Sequence, residues 1–196
     1  MNYDEINGVT VKKLKDYWKS IPNQLLVVGF YSHNSDLFPF FSNFYIHDPF
    51  KFTIPEWCGI LRGNTVDINF SEKAIMLCKA SLMGDIKSYE SIKKSLDPFE
   101  TKNLGNKISP WNQELWDKFV CYIALEVIRS KFSQNTHFKN SLLSTGEYLI
   151  AEASPSDKIW GIGLESSNPN INKPKEWEGS NILGWALMCI RRELNK

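Results

Sequence analysis

Phe70 to Asp85 read FSEKAIMLCKASLMGD, and the spacing inside this run decides the class of fold. Ile75, Cys78 and Leu82 follow one another at steps of three and four residues, the repeat that places side chains on one face of an α-helix. Ser71 stands where a capping hydroxyl is expected, and Gly84 stands where a helix stops. The run also carries Glu72 and Lys79, seven residues apart and therefore within about 20° of the same face. Their Cα atoms lie ~10.5 Å apart along the axis, too far for a simple i,i+4 ion pair. Two long side chains at that spacing can lean toward a ligand between them. They also match an ordinary solvated helix face.

Two further segments repeat the helical pattern. Pro110 to about Phe132 places Trp116, Val120, Ile123 and Val127 on one side, with Ser109 as cap and Pro110 in the first helical position. From Asn181 onward, Leu183, Leu187, Ile190 and Leu194 mark a buried stripe, and Arg191 and Arg192 fall in the last turns, where cations favour the dipole. A shorter helix is expected over Val11 to Lys19. Strand signals are thinner: LLVVGFYS from Leu25, KFTIP from Lys51 and EYLIAEAS from Glu147 are brief apolar or β-branched runs bounded by turn residues. Ser166 to Asn181, rich in Asn, Pro, Ser and Gly, reads as a long surface loop. The expected fold is mainly α, an α+β domain in which a few short strands accompany helices, with residues 1–196 forming one domain.

Composition agrees with a soluble globular protein. The 196 residues are 42% hydrophobic and 23% charged, and a chain of this length buries roughly 70% of its unfolded surface on folding. A net charge of +1 gives no case for attachment to nucleic acid through bulk electrostatics and leaves a local basic patch open for that purpose. Cys58, Cys78, Cys121 and Cys189 are widely spaced, and His33, His47 and His137 are scattered, so no zinc-type spacing appears. Free thiols point to a reducing compartment. The first residues, MNYDEINGVTVKKLKDYW, lack an apolar signal core, and no run reaches the ~20 apolar residues of a membrane helix. The expectation is an intracellular protein of the cytoplasm, or the nucleus of a eukaryote.

Glu152 to Gly163, EASPSDKIWGIG, is the most unusual stretch. Asp157 and Trp160 follow a proline in a polar loop, where a large aromatic has no periodic role. Gly161 and Gly163 would let backbone approach a ligand. Neither G-x-G-x-x-G nor G-K-[ST] is present, so this is no dinucleotide or P-loop fingerprint. Trp116, which shares its helix face with aliphatic residues, reads either as core or as a stacking platform.

Four blocks taken in order, FYSHNSDLFPFFSNF, FSEKAIMLCKASLMGD, LIAEASPSDKIWGIG and WEGSNILGWALMCIRREL, resemble the NADAR family, the YbiA-like N-glycosidases. The resemblance runs from about residue 30 to 194 and leaves residues 1–29 as an N-terminal extension, with further expansions at 45–69 and 164–175. It implies the YbiA-like orthogonal helical fold and hydrolysis of an N-glycosidic bond at C1′ of a ribose. It also implies a substrate class: ADP-ribose attached to guanine, in nucleotides or nucleic acid, or phosphorylated intermediates of riboflavin biosynthesis.

By motif, the resemblance makes Glu72, Lys79 and Asp157 the catalytic residues. Ser42 and Asn43 of FSNF, Trp116, Glu152 of EAS, Trp160, Gly161 and Asn181 of the N-x-LG block become substrate-binding residues. Neither metal nor cofactor is implied, and no obligate protein partner or membrane. Cleavage builds positive charge at C1′ and its ring oxygen, which a carboxylate such as Glu72 stabilises while activating water. A neutral Lys79 could instead attack an opened ribose aldehyde and form a Schiff base. Trp116 and Trp160 offer flat surfaces to a base. A module that binds ADP-ribose without turnover is the competing class, and it has no need for a lysine and carboxylates facing one site.

Overall fold

The computed structural model describes residues 8–23, 26–33 and 37–196. Leu25 of the first expected strand and residues 34–36 of the first family block lie outside them, as do residues 1–7. The elements run α1 (Val11–Ser20), β1 (Val27–Phe30), β2 (Phe50–Thr53), β3 (Thr65–Ile68), α2 (Ser71–Met83), α3 (Ile86–Lys94), α4 (Pro98–Gly105), α5 (Gln113–Ser133), α6 (Thr136–Ser144), β4 (Leu149–Glu152) and α7 (Ile182–Leu194). The fold is therefore mainly helical α+β. β1 pairs parallel with β4, Val27 opposite Leu149 through Phe30 opposite Glu152. β2 and β3 form a separate antiparallel pair, Phe50 opposite Ile68.

α2, α5 and α7 build the centre. Every residue from Ile182 to Arg191 is buried, and α2 is buried on nearly all sides. A helix that is apolar all round belongs inside a layer of other elements rather than on its surface. The single apolar stripe expected for these helices is thus too narrow, and Leu82 and Leu194 are only partly buried. Arg191 is buried as well. It donates from Nη1 to Thr145 Oγ1 and to the carbonyl of Tyr148, both at 2.8 Å, so it ties α7 to the end of α6 besides facing the helix dipole.

Two helix starts differ from expectation. Phe70, in extended backbone, precedes α2 and provides no side-chain cap, while the hydroxyl of Ser71 is buried without a partner. The free amide of Glu72 instead donates to the carbonyl of Asn43 at 2.9 Å. α5 begins at Gln113, not Pro110, because Asn112 Oδ1 accepts from the amide of Leu115 at 3.0 Å. Ser109 is engaged elsewhere, its amide donating to Asp85 Oδ2 at 3.0 Å.

The long loop before α7 is anchored. Trp177 is buried, its Nε1 donates to the Ile171 carbonyl at 2.9 Å, and its ring lies 5.3 Å from that of Trp18. Trp18 donates to the carbonyl of Ser180 at 2.7 Å, so α1, outside the family resemblance, braces the approach to Asn181. No helix among the described residues is long and apolar enough to cross a membrane.

Candidate active site

The C-terminal end of β4, the start of α2 and the loop of residues 153–161 meet around a cavity of about 260 Å³. Its walls carry Ser42, Asn43, Glu72, Lys79, Trp116, Glu152, Asp157 and Trp160, eight of the ten residues singled out by motif. The sequence reading did not single out Phe44, Met76, Lys102, Asn106 and Ile159, which complete the lining.

Backbone contacts explain why these groups converge. The Asn43 carbonyl receives the Glu72 amide, which locks the FSNF segment onto the first turn of α2. On α4, Gly105 has no room for a Cβ because the Met76 side chain occupies that space, so the C-terminus of α4 sits directly on α2. The Gly105 carbonyl then accepts from Lys79 Nζ at 2.9 Å, a cation at a helix C-terminus. The Lys79 ammonium also lies 4.6 Å from the ring centre of Trp111 and 5.5 Å from that of Trp116. Trp116 is therefore both buried wall and cation platform. Asp157 Oδ1 accepts from the amides of Ile159 at 2.9 Å and Trp160 at 2.8 Å, which fixes the D-x-x-W turn.

Three residues expected at the ligand belong to the scaffold instead. A Cβ on Gly161 would lie 2.7 Å from the Glu152 carbonyl and 3.0 Å from the Asp157 carbonyl, so this glycine admits the chain's own backbone and not a ligand. Gly163 has the left-handed φ of 73° and faces the Glu178 side chain, again within the fold. Asn181 is fully buried behind the cavity. Its Nδ2 donates to the Ile150 carbonyl at 2.9 Å and its Oδ1 accepts the Glu152 amide at 3.1 Å, so it aligns Glu152 from the rear.

The electrostatics are those of crowded acids. Glu72 is only 6% exposed. Burial pushes its carboxyl up to about 7, Asp157 adds to the rise, and Lys102 and Lys79 oppose it. Burial likewise raises Glu152 to about 8, reinforced by Asp157 and Glu72 and opposed by Lys102. Burial lowers the proton affinity of Lys79, while Glu72 raises it. Two polar atoms in this wall, Asn43 Oδ1 and Glu152 Oε2, are buried with no hydrogen-bond partner. Buried polar atoms are seldom left so, and a ligand's hydroxyl or N–H groups would satisfy both. The described residues present no cluster of His, Cys, Asp and Glu able to hold a metal ion.

Buried carboxyls of raised proton affinity share one cavity with aromatic platforms, an arrangement that suits glycoside hydrolysis. The NADAR domain family model matches residues 29–195, and the chain belongs to this family. Over 124 residues, 63% of the chain, it is 43% identical to an N-glycosidase of Acanthamoeba polyphaga mimivirus, covering 72% of that protein. Over 178 residues, 88% of the chain, it is 29% identical to the chloroplastic riboflavin biosynthesis protein PYRR of Zea mays, covering 26% of that protein. Its fold matches the solution NMR structure of Escherichia coli YbiA with a TM-score of 0.65 at 24% identity, covering 90% of this chain and 89% of that one. The family is thus one of hydrolases acting on N-glycosyl compounds.

Proposed function

We propose that the chain hydrolyses the bond between C1′ of the ribose in ADP-ribose and a guanine nitrogen, in a nucleotide or in nucleic acid. The observation that carries this reading is that Glu72, Glu152 and Asp157 line one cavity together with Trp116 and Trp160. Burial raises the proton affinity of both Glu72 and Glu152, to about 7 and about 8, so the pair retains a proton at neutral pH.

Glu152, whose proton affinity burial raises, supplies that proton to the departing base nitrogen. Glu72 accepts a proton from water as the water oxygen bonds to C1′ and the C1′–N bond breaks. Its charge supports the positive C1′ on the way. Proton transfer from Glu72 to Glu152 through solvent restores the starting state. The carboxylate of Asp157, held by two amides, orients ribose hydroxyls. The two tryptophans flank the base.

A second reading, hydrolysis of phosphorylated riboflavin-pathway intermediates, is supported by the likeness to the maize riboflavin biosynthesis protein. A non-catalytic ADP-ribose binder has no use for buried acids of raised proton affinity, which cost stability wherever they ionise. Incubation with ADP-ribosylated guanosine, and separately with the pyrimidine intermediates, tests the choice. Release of ADP-ribose and guanosine from the first panel alone is the expected result. Release of ribose phosphate from the second panel alone selects the other reading.

A further inference from the structure

The cavity does not end at its acids. Ser42, Phe44, Lys102, Glu152 and Asp157 also line a second hollow of about 250 Å³. One part of its remaining wall is aromatic: Tyr31, His33 and Phe99. The other part is hydroxylated: Ser32, Ser154 and Ser156.

The aromatic part has no packing reason to be where it is. Phe99 is 59% exposed and Tyr31 48% exposed, at the mouth of a polar groove. Phe44 and Phe99 meet edge to face with ring centres 5.0 Å apart, and His33 adds a third ring 6.2 Å from Phe99. This is a stepped aromatic ledge open to solvent, the shape on which a flat heterocycle stacks. Lys102 stands at the junction of the two hollows. Its Nζ lies 5.5 Å from the ring centre of Phe44, and among the described residues no carboxylate comes within ion-pair distance of it. A cation that lines both hollows, the second of them together with serine hydroxyls, suits phosphate oxygens.

We propose that the second hollow holds the distal half of the substrate, a phosphate at Lys102 followed by a nucleoside whose base stacks on Phe99. The proposal deepens the reading above, on which it rests for the placing of the reacting ribose in the first hollow. It makes the protein selective for ligands of nucleoside-diphosphate size, in which a second nucleotide extends beyond the ribose phosphate. A ligand that ends at a ribose 5-phosphate leaves the ledge empty.

Calorimetric titration of the wild-type chain and of Phe99→Ala with ADP-ribose and with ribose 5-phosphate is the test. Phe99 is largely exposed, so its truncation leaves the fold intact. The expected result is that ADP-ribose binds the wild type at least tenfold tighter than ribose 5-phosphate. Phe99→Ala should then weaken ADP-ribose at least fivefold and leave ribose 5-phosphate within twofold. Equal affinity of the two ligands for wild type, or a Phe99→Ala effect that is absent or the same for both, overturns the proposal. Because the readout is binding without turnover, it is separate from the hydrolytic reading. Tight, Phe99-dependent ADP-ribose binding alongside intact ADP-ribosylated guanosine would support this hollow and overturn the hydrolysis.

Discussion

Lys131 donates from Nζ to the carbonyl of Ser42 at 3.1 Å, although 89 residues separate the two in sequence. Lys131 is fully buried on α5, between the rings of Phe132 and Phe138, and burial lowers its proton affinity to about 7. Among the described residues no carboxylate pairs with it; a buried amine so placed is costly, and its retention points to a task, here holding the Ser42–Asn43 wall against the start of α2.

Lys131→Met keeps the volume and removes the charge. We expect a melting temperature equal to or above the wild-type value and a loss in kcat/KM of about tenfold, one decade or ~1.4 kcal/mol of transition-state stabilisation. Thermal melts and steady-state kinetics on the same preparations check both. Unchanged kcat/KM would show that the Ser42 contact has no part in the site.

Glu72 and Glu152 make stability depend on pH in a direction unusual for carboxyls. Their folded proton affinities, about 7 and about 8, lie above the ordinary value of 4.5. Between those limits the folded chain binds more protons than the unfolded one, so their contribution is full below about pH 4.5 and is lost as pH rises to about 8. The Glu72→Gln, Glu152→Gln double variant lacks that loss. Its melting temperature minus that of wild type should grow by on the order of 5 °C between pH 5 and 8.5. Paired melts across that range measure it, and a difference that stays constant would show that the two carboxyls titrate normally.

The Lys79 amine is less basic than a free lysine and faces the same cavity as the acids. If it forms an imine with the C1′ aldehyde of an opened ribose, losing water, borohydride reduction traps the adduct as a mass increase. We expect the adduct in the wild type and none in Lys79→Ala. Absence from both would show that Lys79 does not reach C1′ of the ring-opened ribose.

The sequence made the large helices legible and hid the small ones, for a physical reason. α2, α5 and α7 carry long apolar repeats, whereas α4 buries only Pro98, Thr101 and Gly105. That pattern shows no apolar period, and Lys102 was hidden with its helix. Lys131 gave no signal because a lysine on a helix ordinarily belongs to the surface. Motif spacing did bring out Glu72, Lys79, Asp157, Trp116 and Trp160, which the fold gathers on one cavity. It could not separate residues that touch the cavity from residues that hold its wall. Gly161 and Asn181 are of the second kind, since their close contacts run to the backbone of Ile150 and Glu152 across turns that only the folded chain creates.

The central claim is that a carboxylate at position 72 drives N-glycoside cleavage of ADP-ribosylated guanosine. The most direct measurement is the rate of ADP-ribose release from that substrate by wild type and by Glu72→Gln, followed by mass detection of both products at pH 7.5. The swap keeps the shape of the wall and removes the charge that supports C1′, so kcat should fall at least a hundredfold, ~2.7 kcal/mol, with KM changed less than threefold. Release by the variant at more than a tenth of the wild-type kcat would contradict the account.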